Sequence, residues 1–236
     1  MPPRYRDSFD GAAIREHAAI ALRRGTAPAH VEIWRRLANG RAVACVVADD
    51  RPGLLSLISA ALVVQSLDVV SAQAYTRLVP EREAAEAVDF LWLRRDADLA
   101  MPIRSADAVQ LGEVLSGLLT GTLTMEAVLR RAKARASVAP GSSTRVAFNE
   151  TSDAGLSVLS VETFDRPGLL LAITLALFKA RVQIVATEVG TSAGRVVDRF
   201  TIVELDGAPI LRHRRGAVQT AVLTAIDALA HGKVTV

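Results

Sequence analysis

The chain has 236 residues, half of them hydrophobic and 22% charged, with a formal net charge of +3. That is enough for one large or two ordinary domains with a sizeable core, too apolar for wholesale disorder and too weakly basic for a nucleic-acid footprint. The one cysteine, Cys45, excludes an internal disulfide and fits a reducing compartment; the opening MPPRYRDSFD has no apolar signal core, and the longest uncharged run, the 16 residues 52–67, is too short and polar for a membrane span. The expectation is a cytoplasmic protein with no membrane and no nucleic-acid partner.

In chain order, residues 10–24 read as a helix and 25–28 as a break. HVEIWRRL and RAVACVVA read as two strands across Asn39-Gly40, a dipeptide that favours tight hairpins. DDRPGLLSLISAAL, from Asp49, opens a helix with Leu54, Leu55, Ile58 and Leu62 on one face. LDVVSAQAYT and AVDFLWLR are Val/Ile/aromatic-rich strands, joined through RLVPEREAAE. Residues 105–119 are helical, TLTMEAVLRRAKARA adds a helix with a basic end, and SVAPGSST is a loop.

The order then repeats. RVAFNE and LSVLSVET flank TSDAG, and FDRPGLLLAITLAL repeats the earlier phrase 115 positions on, with Leu169, Leu170, Ile173 and Leu177 on the matching helix face. VQIVATEVGT and VVDRFTIVEL follow, with Asp198 matching Asp89 after a six-residue difference in turn length, and 217–230 reads as a helix. The fold class is therefore α+β, two ferredoxin-like βαββαβ units in tandem, each with a further strand beside its first, preceded by a short helical segment. The expected boundaries are 1–28 for the helical segment, 29–136 for the first unit with its extra helix, 137–144 for a linker and 145–236 for the second unit. KVTV could close the second sheet; RVAFNE could close the first or pair with the second unit's opening strand. LDVV and VQIV carry apolar residues on both faces, so the two copies are expected to pack on each other, or two chains to associate.

Asp-Arg-Pro-Gly-Leu-Leu has two local readings. As a capped helix start, Pro takes the first helical position and Asp accepts a bond from the first turn. As a binding loop, Gly admits close approach to the backbone, the helix N-terminus seats a carboxylate and Asp takes an ammonium, which together would receive a free α-amino acid.

The phrase, followed by an amphipathic helix and a Val/Ile-rich strand, resembles the ACT domain, a small ligand-binding regulatory module. The pair, with RYRDSFDGAAIREHAAI ahead of it, resembles the C-terminal ACT pair of the bacterial uridylyltransferase/uridylyl-removing enzymes that modify the nitrogen-signalling PII protein. The resemblance implies allosteric sensing of an amino acid, glutamine the first guess, at a contact between ACT units. The implied ligand-binding residues are Asp50, Arg51, Gly53, Leu54, Asp68 and Val69 in the first copy, and Asp165, Arg166, Gly168, Leu169, Gln183 and Ile184 in the second. The second copy is expected to be the better site, because the first gathers Asp49, Asp50 and Asp68, and extra carboxylates repel a ligand's own.

No catalytic residues, metal or cofactor are expected. The catalytic parts of those enzymes lie upstream of the resembling segment. DADL at Asp96 has a metal-binding carboxylate spacing but no Gly-Gly or Gly-Ser turn before it, and there is no His-Asp dipeptide. His17, His30, His213 and His231 share no ligand spacing. Cys45 reads as core, RRAKAR and RHRR as solvated surface, and Asp89 and Asp198 as strand-opening residues bonded to the preceding turn. The expected partners are a small-molecule amino acid, a second copy or a regulated protein; the alternative is a structural, ligand-free ACT pair or the detached regulatory end of a uridylyltransferase.

Overall fold

The computed structural model describes residues 1–80, 84–95, 101–131, 143–149, 156–192 and 195–230. The chain begins with helices α1 (Pro3–Ser8) and α2 (Gly11–Arg23). The first copy comprises β1 (Ala29–Arg36), β2 (Ala42–Asp49), α3 (Leu54–Val64), β3 (Leu67–Arg77), β4 (Glu86–Arg95) and α4 (Ser105–Thr120), with α5 (Met125–Arg131) after it. The second comprises β5 (Arg145–Asn149), β6 (Ser157–Phe164), α6 (Leu169–Lys179), β7 (Val182–Ser192), β8 (Arg195–Glu204) and α7 (Arg212–Ala230). Helix α1 was not anticipated, and α7 starts earlier than its apolar spacing suggests.

Each copy has the ferredoxin-like strand order, with the edge beside its opening strand filled from upstream: β1 pairs with β2, and β5 pairs with β6. RVAFNE thus lies against the second copy's opening strand, while KVTV falls outside the described residues. Both residues of the Asn39-Gly40 pair are left-handed, at φ 57° and 71°, as a tight hairpin requires.

The two copies do not form separate sheets. β3 pairs antiparallel with β7 through Ser71↔Gly190, Ala72↔Val189 and Gln73↔Glu188, giving one eight-stranded sheet, β1-β2-β4-β3-β7-β8-β6-β5. Gln73 and Glu188 are 115 positions apart, the repeat offset, so a local twofold axis passes through that pair. On the helical face α3 packs on α6, and Leu171 and Leu175 of α6 enter the first copy's core beside Ile58 and Ala61.

Burial explains two strand patterns. RAVACVVA is a continuous apolar run because β2 is covered on both faces: Ala44 and Val46 face the helical core, whereas Val43, Cys45 and Val47 face α1 and α2. The helical segment is therefore part of the first copy's packing, closed by an aromatic cluster in which the Phe9 and Phe90 ring centroids lie 4.9 Å apart. In the second copy β8 alternates, with Val196, Asp198 and Phe200 buried and Val197 and Arg199 exposed.

Because α6 supplies side chains to both cores, the two copies are expected to unfold together. Leu171 is 1% exposed; Leu171→Ala should cost about 2–5 kcal/mol and lower a single calorimetric transition that coincides with the loss of circular dichroism. Two separable transitions would contradict a shared core.

Candidate functional site

The repeated phrase builds the same turn twice. Leu54 N–H donates to Arg51 C=O (3.1 Å) and Leu169 N–H to Arg166 C=O (3.2 Å). Gly53 has φ 81°, ψ 1° and Gly168 φ 80°, ψ 3°. Pro then Gly at the two central positions, with Gly near +80°, 0°, defines a type II β-turn. The capped-helix reading of the phrase needs correction. Proline lies outside the helix, in the turn. Neither α3 nor α6 has a side-chain cap at its N-terminus, so the aspartates are not caps. Glycine is required by positive φ, and a β-branched replacement would be strained in either copy.

The local twofold puts each turn against the other copy's helix–strand junction. Those junctions match: Ser66 and Arg181, equivalent residues, both have φ 60°. Against the second copy's turn, Arg94 of β4 donates through Nη2 to Asp165 (2.7 Å) and through Nε to Asp68 of β3 (3.0 Å). Burial pushes the Asp68 carboxyl above its ordinary range, Asp165 adds to that, and Arg94 opposes both. Asp68 thus stands with Asp165, not with Asp50, which reverses the carboxylate count expected for the two copies. Asp49 is likewise engaged elsewhere, in an ion pair with the buried Arg24 at 2.8 Å.

Against the first copy's turn stands Phe178, at the end of α6. A Cβ on Gly53 would lie 2.8 Å from Phe178 Cδ2; one on Gly168 would meet nothing closer than Leu229 Cδ1 at 3.7 Å. The Asp50 carboxylate accepts from the Thr76 hydroxyl (2.7 Å). The strand pair that holds Asp68 and Arg94 in the first copy holds Gln183 and Val203 in the second.

The two arginines of the phrase also differ. Arg166 is 6% exposed, donates to Thr163 Oγ1 (3.1 Å) and to Phe164 C=O, and burial lowers its pKa. Arg51 is exposed and donates to Leu119 C=O at 3.2 Å. Leu54, Val69 and Leu169 are buried core residues, Ile184 is partly buried against the second core, and Gln183 is half-buried at the start of β7. Arg94, Thr76 and Phe178 were not singled out from the sequence. The register of LDVVSAQAYT with AVDFLWLRR would have placed Arg94 opposite Asp68.

Beneath each turn lies a buried carboxyl. Asp89 and Asp198 are mid-strand rather than strand-opening, and 4% and 1% exposed. Asp198 accepts from Gly190 N–H (3.4 Å) and Asp89 from Tyr75 N–H, the equivalent position. Burial pushes both up to about 8, assisted by Asp50 near Asp89 and by Asp165 near Asp198. Among the described residues no group of three or more His, Cys, Asp and Glu could hold a metal, and no helix is long and apolar enough to cross a membrane. Cys45 is fully buried; DADL lies outside the described residues. In RHRR, Arg214 donates to Ala180 C=O (2.8 Å) and pairs with Glu204.

No family model matches the chain. It is similar to bifunctional uridylyltransferase/uridylyl-removing enzymes: 30% identical over 188 residues to that of Bradyrhizobium diazoefficiens, covering 78% of this chain and 19% of the relative. Against the enzyme of Nitrobacter hamburgensis it is 29% identical over 230 residues, covering 94% of this chain and 24% of the relative. The chain thus spans about a fifth to a quarter of the length of these relatives. Among solved structures, the ligand-free regulatory subunit of aspartate kinase from Thermus thermophilus aligns at 14% identity and a TM-score of 0.22 over 85% of this chain and 96% of that one, a likeness too distant to carry an argument. The resemblance read from the repeated phrase is therefore to a segment of these enzymes, and the fold is the expected tandem ferredoxin-like pair.

The buried carboxyls make a signed prediction. With folded pKa values near 8 against an ordinary 3.8, Asp89 and Asp198 hold protons in the folded state that the unfolded chain has lost. Their effect is thus to lower stability as pH rises from about 4 to about 8. Asp198→Asn, neutral throughout, should gain stability relative to the parent across that window, read as a difference in melting temperature at each pH. A constant difference would show that Asp198 is ionised in the fold.

Proposed function

We propose that the chain is a regulatory module, non-catalytic over residues 1–236, that binds a free amino acid at the turn of its first copy. The carrying observation is the unequal use of one phrase. At 165–169 the aspartate is held by Arg94 and the arginine is buried on its own backbone. At 50–54 the aspartate is met by a hydroxyl and the arginine is exposed. A carboxylate and a guanidinium on adjacent residues, beside the N-terminus of α3, complement the ammonium and carboxylate of a zwitterion. In this reading Asp50 takes the ammonium, Arg51 the carboxylate, and Phe178 and the half-buried Gln183 come from the other copy's side of the seam. A ligand there touches both copies, so occupancy alters the seam, which is how binding would become a signal.

The similarity to uridylyltransferase/uridylyl-removing enzymes supports a regulatory role and makes glutamine the first ligand to test and PII-type signalling the first output. The recipient of the signal would be a protein partner or a second copy, and no cofactor is invoked. The second copy's turn fits the structural alternative instead: its ions are satisfied internally, and its glycine is explained by φ alone.

A melting screen against the twenty amino acids tests this. Ligand at about 100 times its dissociation constant stabilises by ~2.7 kcal/mol. Asp50→Asn and Arg51→Met should abolish the shift, and Asp165→Asn should leave it. Loss on Asp165→Asn alone would move the receptor to the second copy; no shift with any amino acid would leave a ligand-free structural pair. Purified protein given PII, a uridine nucleotide and a divalent metal should transfer nothing above background.

A further inference from the structure

The last helix of each copy is followed by matching sequence. Helix α4 matches α7 at an offset of 111, which superposes the buried Leu111 and Leu115 on Val222 and Ile226. The same offset carries Gly121-Thr122-Leu123-Thr124-Met125 onto Gly232-Lys233-Val234-Thr235-Val236, with the glycine and the second threonine kept and an apolar residue at each apolar position. In the first copy this segment closes the groove between α3 and α4. Gly121 makes a left-handed turn at φ 77°, Leu123 N–H donates back to Gly117 C=O (2.9 Å), and Leu123 and Met125 pack on the core. In the second copy the described residues form an apolar groove of about 380 Å3 in the equivalent place, between α6 and α7, with Ala172, Ala176, Ala225 and Ala228 in its walls. Gly117 and Leu118 are buried, whereas their equivalents Ala228 and Leu229 are half-buried by the described residues alone.

We propose that the chain's own residues 232–236 are the strap that closes the α6–α7 groove, with Val234 seated on Ala228 as Leu123 is seated on Gly117. Floor and plug change size in opposite senses between the copies. A Cβ on Gly117 would lie 2.7 Å from Leu123 Cδ1, so a side chain at that floor position excludes a leucine above it. Ala228 brings that carbon and Val234 is one carbon shorter than leucine, so the side-chain carbon of the pair is conserved and the site keeps its packing. The other place open to KVTV, the sheet edge beside β6, is already taken by β5, which pairs from Arg145↔Glu162 to Asn149↔Val158. The strap also lies against the second Pro-Gly turn, because Leu229 of the groove wall would stand 3.7 Å from a Cβ on Gly168. Closing the groove thus braces, from the helical side, the turn whose aspartate Arg94 holds across the seam.

A mutant cycle on the full chain reads the contact. Val234→Leu should lower the melting temperature of the parent by about 2–4 °C, as one methylene too many in a packed site implies. The same change made in Ala228→Gly, where it recreates the first copy's pair, should raise the melting temperature by a similar amount. Lys233→Ala, at the position equivalent to the exposed Thr122, should alter neither background. A Val234→Leu effect equal in both backgrounds, or absent from both, would overturn the proposal. Methyl NOEs give the second readout, and they should connect Val234 with Ala228 in the parent. NOEs from Val234 to β5 instead would make KVTV a strand added to the sheet, and no NOE from Val234 to α6 or α7 would leave the groove to another molecule; either result would overturn the strap. A concentration-dependent dimer lost in Ala228→Phe would likewise overturn it, by assigning the groove to a second copy.

Discussion

Everything distinctive in this fold depends on the antiparallel pairing of β3 with β7. A ferredoxin-like sheet exposes one long strand as an edge, and an unpaired edge is a template for unwanted association. Here each copy offers that edge to the other across three residue pairs, among them Gln73 with Glu188. Because Gln73 and Glu188 are equivalent residues, their pairing imposes a local twofold axis, and the axis carries each Pro-Gly turn to the other copy's helix–strand junction. The packing of α3 on α6 follows from the same axis, and with it the passage of Leu171 and Leu175 into the neighbouring core.

Symmetry of backbone does not carry symmetry of chemistry. The two turns are nearly superposable in φ and ψ, yet the residues that face them differ: Asp68 and Arg94 across the second turn, Phe178 across the first. An arginine between two carboxylates, one of them largely buried, locks the second turn to the first copy. The first turn is met by an aromatic ring and a hydroxyl. One half of the seam is thus held by ions and the other by an aromatic contact and a hydroxyl, and the binding proposal rests on that division.

The fold was legible because its signals are local. The repeated phrase, the helix face of Leu54, Ile58 and Leu62, and the Asn-Gly hairpin each specify an element through nearest neighbours. The phrase itself was misread because Pro-Gly suits both a helix start and a type II turn, and only φ at Gly53 separates them. The site was less legible because it is assembled across the repeat. Sequence order groups Asp68 with Asp50, whereas the twofold groups it with Asp165, and nothing local announces strand pairing between copies. The aromatic cover on the first copy was hidden for a similar reason: Tyr5 and Phe9 precede the repeat but pack on Phe90.

The central claim is that the two copies form one cooperative unit through this seam. Native-state hydrogen exchange at the amides of 71–73 and 188–190 tests it most directly. The account predicts that the slowest of these amides exchange only through global unfolding, with the same free energy and denaturant dependence as the amides of β2 and β6. Exchange through a smaller opening, with β2 and β6 still protected, would show two independently folded halves resting edge to edge and would contradict it.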